Sequence, residues 1–220
     1  MKKNNFIFSI AVDGSSASGK TTGSKIIAKR FGFKLLSSGK LYRYLALRII
    51  KNNRKYNHNF IKKVAKNLNL KKLSTKKLYN TNVTKLSSII AKKKYIRKSL
   101  KLFQLDFIKK NKKVVIEGRD IASKIMPNAD LKIYFKCSTK EKVKRRFKEF
   151  EKINKKVKIK EVEKALKLRD FSDINRKESP LLFVKGAVLV DTTNLSMKQM
   201  EARLTKLVAK AIENKKHGNL

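Results

Sequence analysis

The residues best suited to chemistry lie near the amino terminus, where Gly14-Ser15-Ser16-Ala17-Ser18-Gly19-Lys20-Thr21 has the form G-x-x-x-x-G-K-[ST]. Glycines let such a loop turn its backbone N–H groups towards phosphate oxygens, and a helix that follows adds the positive end of its dipole. The lysine of this motif reaches the β- and γ-phosphates, and the hydroxyl that follows it can bind Mg²⁺. The motif therefore predicts a nucleoside triphosphate site, but it does not separate a kinase from a GTPase or an ATPase.

A second group of chemically active residues follows the apolar run KVVIE, which ends in Glu117-Gly118-Arg119-Asp120. A carboxylate and an arginine at the carboxyl end of a strand lie where α/β sheets bind their ligands. The Asn-Lys-x-Asp tetrapeptide with which regulatory GTPases read guanine does not occur, and no apolar run ends in Asp-Glu as in a Walker-B ATPase. These features favour a kinase over a switch protein.

Arginine is much scarcer than lysine, and seven arginines lie near predicted loop mouths or helix ends. They are Arg43, Arg97, Arg119, Arg145, Arg146, Arg169 and Arg176. Phosphoryl transfer needs guanidinium groups around the migrating phosphoryl group, because charge spreads over its oxygens. One arginine alone would be interpreted as a solvated surface charge, but the set predicts a phosphate site.

The apolar pattern predicts the elements that must hold these groups. Strands are predicted at 6–12, 34–36, 113–117, 131–136 and 188–191. Helices are predicted at 20–31, 41–51, 60–68, 84–92, 95–110, 139–152, 160–169 and 196–214, the last with Ser196 as its N-cap. Strands alternate with helices, so we expect a mostly parallel sheet covered on both faces.

The chain is strongly basic, with 58 Lys and Arg against 16 Asp and Glu and a formal net charge of +42. This charge is typical of a nucleic-acid or anionic-membrane partner, but lysine is spread over helices and loops alike, which favours a compositional bias. We expect no specific nucleic-acid site, only loose and salt-sensitive RNA binding. The single cysteine, Cys137, and the lack of an apolar stretch of ~20 residues predict a cytoplasmic protein without a disulfide or a membrane span.

The motifs, taken in order, resemble those of the bacterial-type cytidylate (CMP) kinases, which belong to the nucleoside monophosphate kinase group. In the first half of the chain, the resemblance rests on IAVDGSSASGKTT, on LLSSGKLYRYLAL, and on Arg97 with Leu100 and Gln104. The middle motif is EGRD, followed by Pro127-Asn128-Ala129. The later motifs are Lys167-Leu168-Arg169-Asp170 through Asn175-Arg176 with Ser179-Pro180-Leu181, and Asp191-Thr192-Thr193 with Leu195-Ser196. The resemblance implies a three-layer α/β P-loop kinase fold as a single domain over 1–220, with a trimmed NMP-binding insert at about 53–94 and a short lid at about 150–182. It also implies a monomer that uses ATP and Mg²⁺ to phosphorylate CMP and dCMP.

Residue roles follow from the same resemblance. It assigns ATP to Gly14, Ser15, Ser16, Ala17, Ser18, Gly19, Lys20, Thr21 and Thr22, with Arg145 and Arg146 on the lid side. It assigns the monophosphate to Ser38, Tyr42 and Arg43, the cytosine to Ser88, Arg97 and Asp120 beside Gly118, and the sugar to Arg169 and Asp173. The resemblance also assigns catalysis to Lys20, Arg119, Arg169 and Arg176, and Mg²⁺ binding to Thr21.

The sequence departs from the family pattern at three places. Ser37 stands where the family has Asp, Ser172 stands where an Arg is frequent, and the segment 69–88 is short for the family's small β insert. Two other functions stay open: another small-molecule P-loop kinase, and a basic RNA-binding protein with a vestigial loop.

Overall fold

Five strands form a sheet whose carboxyl ends hold the candidate chemistry. In the computed structural model, which describes residues 6–151 and 157–218, they are β1 (Phe8–Gly14), β2 (Lys34–Ser37), β3 (Lys113–Gly118), β4 (Leu131–Lys136) and β5 (Ala187–Asp191), in the order β2-β3-β1-β4-β5. Strand β1 pairs in parallel with β3 and β4, and β4 pairs in parallel with β5. The register sets Asp13 opposite Gly118 and Tyr134, so the ends of three strands meet at one edge.

Eight α-helices accompany the strands in the part of the chain that the structure describes. They are α1 (Lys20–Phe31), α2 (Ser38–Lys51), α3 (His58–Lys66), α4 (Thr81–Ile90), α5 (Lys94–Lys110), α6 (Thr139–Glu151), α7 (Ile159–Asn175) and α8 (Met197–Lys216). The predicted α/β class with a mostly parallel sheet is confirmed. None of the described helices is long and apolar enough to cross a membrane.

The chain divides into two compact units, of which the first comprises Met1–Leu35 and Lys112–Leu220. Its main core packs α1 and α8 against β1, β3 and β4, through side chains that include Ile27, Phe135 and Leu204. Gly23 is required in α1, because a Cβ there would lie 2.5 Å from Cζ of Phe135. A smaller cluster joins α6 and α7 through Val143, Val162 and Leu166.

The second unit comprises Leu36–Asn111 and is helical, apart from the end of β2. Two short 3₁₀ helices, Leu70–Leu73 and Lys76–Tyr79, connect α3 to α4. Asparagines cap the helices of this stretch: the side chains of Asn57, Asn69 and Asn80 each accept a backbone N–H from the first turn that follows. The one helix predicted at 60–68 is found two residues earlier, and α4 begins three residues before its predicted start.

Two local differences from the sequence prediction bear on the site. Helix α7 continues to Asn175, six residues past its predicted end, so the polar run after Arg169 is helical. A short π-helical turn, Ile121–Ile125, follows β3 and was not predicted. The predicted N-cap of α8 is confirmed, since Ser196 and Gln199 form a reciprocal capping box. Residues 152–156 of the predicted lid lie outside the described residues.

Candidate active site

The loop between β1 and α1 has the conformation of a phosphate cradle. Gly14 has φ +154° and a Cβ there would lie 2.5 Å from the carbonyl oxygen of Phe135, while Gly19 has φ +87°, so both positions need glycine. Inside the loop, the carbonyl oxygen of Ser15 accepts from Lys20 Nζ at 2.9 Å and from Ser18 Oγ at 3.0 Å. The loop therefore leads directly into α1, whose amino terminus lies at Lys20.

Lys20 is buried at the start of α1. Burial lowers the pKa of its ammonium group to about 7, and the positive charge of Arg119 adds to this effect, while Glu117 opposes it. A lysine in this setting gains most from an anionic ligand, because phosphate oxygens would restore the charge that burial disfavours. The motif lysine thus has the electrostatics of a phosphate-binding group.

The hydroxyl of Thr21 donates to Oε1 of Glu117 at 3.1 Å. This pairs the motif threonine with the carboxylate at the end of β3, and Glu117 is 4% exposed. A hydroxyl and a carboxylate oxygen are the hard donors that Mg²⁺ prefers, and Mg²⁺ usually takes only one or two such protein ligands beside water and phosphate. The two residues therefore fit Mg²⁺, and Glu117 was not among the predicted metal ligands although the sequence placed it at the strand end.

Arg119 and Arg176 share one carboxylate. Arg119 Nε donates to Asp173 Oδ2 at 2.8 Å, and Arg176 Nη1 donates to Asp173 Oδ1 at 3.2 Å. Burial alone would raise the pKa of Asp173, but Arg119, Arg169 and Arg176 outweigh it and hold this pKa below its usual value. The structure thus brings two of the predicted arginines, Arg119 and Arg176, to one carboxylate on α7, and the charge of Arg169 also acts on it.

Asp13, which sequence reasoning missed, anchors the segment that follows Arg119 and Asp120. Its two carboxylate oxygens accept the backbone N–H groups of Ile121 at 2.9 Å and Ala122 at 2.7 Å, where the π-helical turn begins. Burial raises the pKa of Asp13 to about 6, although both hydrogen bonds oppose the shift. Asp120 itself is also buried. The signal in the sequence was an Asp at the end of an otherwise apolar strand.

Thr192, which directly follows β5, and Arg145, on α6, support the loop. Thr192 Oγ1 donates to the carbonyl oxygen of Ser18 at 2.9 Å, and Arg145 donates to Oγ1 and to the carbonyl oxygen of Thr192 at 3.0 and 2.6 Å. Arg145 therefore lies beside the loop. Arg146 instead pairs with the exposed Glu149 on its own helix at 2.7 Å, and Thr22 is exposed on α1.

In the second unit, the predicted substrate residues lie on α2, α4 and α5. Arg97 Nη1 donates to the carbonyl oxygen of Ala91 at 2.9 Å, and its guanidinium lies 5.4 Å from the centre of the Tyr42 ring. The Arg43 guanidinium donates to Thr84 Oγ1 at 2.6 Å. The remaining two are Ser38, buried at the start of α2, and Ser88, whose hydroxyl donates to the carbonyl oxygen of Thr84 at 3.3 Å. Tyr42 and Arg97 are thus brought together within this unit.

Comparison with known proteins gives a consistent result. The family model described as cytidylate kinase matches residues 10–210. A protein named cytidylate kinase from Fusobacterium nucleatum is 38% identical and covers 91% of this chain and 97% of its own, and one from Thermotoga maritima is 34% identical with coverages of 91% and 96%. A solved structure of TT1252 from Thermus thermophilus matches with a TM-score of 0.53 at 14% identity, over 93% of this chain and 97% of that one, which supports the fold alone.

Proposed function

The chain belongs to the cytidylate kinase family, and from this premise we propose that it transfers the γ-phosphoryl group of ATP to CMP and dCMP, giving ADP and CDP or dCDP. An oxygen of the monophosphate attacks the γ-phosphorus, and the bond to the β–γ bridging oxygen breaks. The observation that carries the proposal is the family match over residues 10–210 together with an intact phosphate loop in which Lys20 is buried.

The phosphate loop and the residues beside it bind ATP, the phosphoryl donor. The backbone N–H groups of the loop and the amino terminus of α1 bind the ATP phosphates, and Lys20 compensates the charge that moves between the β- and γ-phosphates. Thr21 and Glu117 would hold Mg²⁺, either directly or through water. When it is bound, Mg²⁺ neutralises part of the phosphate charge.

The arginines stabilise the negative charge on the transferred phosphoryl group. Arg119 and Arg176 are already aligned by Asp173, so their guanidinium groups need little reorganisation as charge spreads over the equatorial oxygens. Arg169 lies on the same helix and contributes to the depressed pKa of Asp173, which indicates that its charge reaches the same point. We assign these three arginines to the phosphates, with Arg169 and Asp173 also holding the sugar.

Base selectivity is proposed for Arg97, Asp120 and Ser88. Cytosine offers an N4 amino donor beside the N3 and O2 acceptors, whereas uracil offers an O4 acceptor beside an N3–H donor. An aspartate accepts from the amino group and an arginine donates to N3 or O2, so the pair selects cytosine through hydrogen-bond polarity. Ser38, Tyr42 and Arg43 would bind the monophosphate, and Gly118 would contribute its backbone to the substrate site.

The remaining proposals concern the protein as a whole. We take the helical segment 53–94 as a reduced NMP-binding insert and 150–182 as a short lid on a single monomeric kinase domain that works in the cytoplasm. The net charge of +42 adds loose, salt-sensitive association with RNA as a side property.

The test is an ADP-coupled assay of the purified protein with CMP, dCMP, UMP, AMP and GMP. CMP should be the best substrate. Lys20→Ala should fold normally and lose at least ~10²-fold in kcat, the scale of one preorganised donor. A folded Lys20→Ala protein with most of its activity, or an enzyme that prefers UMP or a purine monophosphate, would contradict the proposal.

A further inference from the structure

Asp170 joins the phosphate loop to helices α6 and α7 through two hydrogen bonds. Its Oδ1 accepts from the backbone N–H of Ser16 at 2.9 Å, and its Oδ2 accepts from Nζ of Lys142 at 2.5 Å. Asp170 and Lys142 are each 8% exposed and Ser16 is 2% exposed. Neither Asp170 nor Lys142 is among the residues to which the proposed reaction gives a role.

A carboxylate next to a phosphate-binding loop needs an explanation, because its charge repels the ligand. Lys142 neutralises that charge, yet a buried ion pair is costly to desolvate and an apolar pair of similar size often stabilises a fold as well. What an apolar pair cannot do is accept the Ser16 N–H. The polar contact therefore indicates that the position of this N–H matters.

The loop needs support at this point because its conformation is strained. Ala17, the next residue, has φ +57°, a left-handed conformation that is unfavourable for a residue with a Cβ. Ala17 packs against the cluster that joins α6 to α7. Packing alone does not close this region, since a cleft of about 340 Å³ is lined by Ser15, Lys142, Leu166 and Asp170.

We propose that Asp170, neutralised by Lys142, is a positioning residue that holds the first half of the phosphate loop in its nucleotide-binding conformation. The inference rests on the proposed function, because it takes ATP as the ligand of the loop. On this proposal, helix α7 positions the phosphate loop as well as the arginines. The helix that aligns Arg119 and Arg176 through Asp173 aligns the loop through Asp170, one turn earlier, so donor and arginines are set by one rigid element.

Two double variants test the role of the acceptor at nearly constant size and charge. In Lys142→Met/Asp170→Asn the side-chain oxygen of the amide still accepts the Ser16 N–H, and the buried charges are removed together. In Lys142→Met/Asp170→Leu the shape is similar but the acceptor is gone. Glu163→Gln, which breaks the exposed pair with Lys167 on the same helix, is the control that should change nothing.

The measurements are ATP affinity by titration calorimetry, steady-state kinetics and the melting temperature. We expect the Asn double variant to bind ATP within ~3-fold of wild type and the Leu double variant to bind at least ~10-fold more weakly, the scale of one lost hydrogen bond to a buried donor. KM for ATP should rise in parallel while KM for CMP stays within ~3-fold. Equal ATP affinity in the two double variants, with only the melting temperature lowered in the Leu variant, would overturn the inference and leave a structural role.

Amide hydrogen exchange on the wild-type protein gives a second test that needs no variant. The Ser16 amide should be protected before nucleotide is added, because Asp170 already holds it, and ATP should slow its exchange further only by stabilising this same conformation. Protection that arises only with ATP would overturn the inference. Neither the calorimetric titration nor the exchange measurement needs turnover, so a wild-type protein that binds ATP but does not phosphorylate CMP would remove the proposed function and leave this inference standing.

Discussion

The protonation of Lys20 offers a sharp test of the candidate site. Burial lowers the pKa of this lysine to about 7 in the nucleotide-free protein, so at pH 8 roughly one molecule in ten carries the charge. ATP phosphates against Nζ should return the pKa towards 10.5. Binding at pH 8 should therefore take up ~0.9 proton per ATP, and ATP affinity should fall ~10-fold between pH 8 and pH 9.

The assay is titration calorimetry of ATP binding at pH 8 in two buffers of different ionisation enthalpy. The difference between the apparent binding enthalpies gives the number of protons taken up. A phosphate monoester loses its second proton near pH 6, so the ligand itself contributes little at pH 8. Lys20→Met is the matched variant, since it keeps the apolar stem of the lysine and cannot take up a proton.

Two results would refute this reasoning. Uptake below ~0.2 proton in wild type would mean that Lys20 is already charged in the free protein, contrary to its burial. Uptake that persists in Lys20→Met would assign the proton to another group. At pH 6, where ~0.9 of the lysine is already charged, wild type should take up only ~0.1 proton more than Lys20→Met, a difference from which the protons exchanged by the phosphate itself cancel.

Three further predictions concern other parts of the site. The kcat/KM for CMP should exceed that for UMP by at least ~10²-fold. Asp120→Asn should reduce this ratio, mainly by lowering activity with CMP. An unchanged ratio would mean that Asp120 only forms an ion pair with Arg119. Burial raises the pKa of Asp13 from 3.8 to about 6, so the folded state binds a proton more tightly than the unfolded state. As the pH falls from 7 to 4, the free energy of unfolding of wild type should therefore rise by up to ~3 kcal/mol relative to that of Asp13→Asn. Urea titrations that show a constant difference between the two proteins would contradict this. Proteolytic cleavage within 177–183, just after α7, should slow when CMP and an ATP analogue are both bound, and equal cleavage rates would argue against a lid.

Much of the first unit could be predicted because local signals and long-range packing agree there. The helix at Lys20–Phe31 and the strand at Leu131–Lys136 have their predicted bounds. In both cases the chain has one clear apolar pattern, and α1 also has glycine at each end to fix its limits. The phosphate loop was predictable for the same reason, since its glycines are needed for backbone geometry whatever the surrounding fold.

The end of α7 could not be predicted, because its polar residues are buried for reasons that lie far away in the chain. Asp170 and Asp173 resemble solvated loop residues in sequence, yet they accept from Ser16 and Lys142 and from Arg119 and Arg176. The π-helical turn after β3 has a similar cause, since Asp13 holds its first two N–H groups from 108 and 109 positions away. A single sequence does not show which distant partner will satisfy a polar group.

The distribution of acidic residues explains how a chain of net charge +42 keeps a defined site. Five of its 16 acidic residues are buried or nearly buried around the phosphate loop and the arginines: Asp13, Glu117, Asp120, Asp170 and Asp173. An exposed ion pair contributes at most ~1 kcal/mol, so surface acids can be replaced by lysine at little cost to the fold. A buried carboxylate that braces an arginine or accepts a loop N–H cannot be replaced in this way, because its partners would be left uncompensated. The extreme composition is therefore compatible with the proposed catalysis, since the excess charge lies on the surface while the acids that order the site are retained where the chemistry needs them.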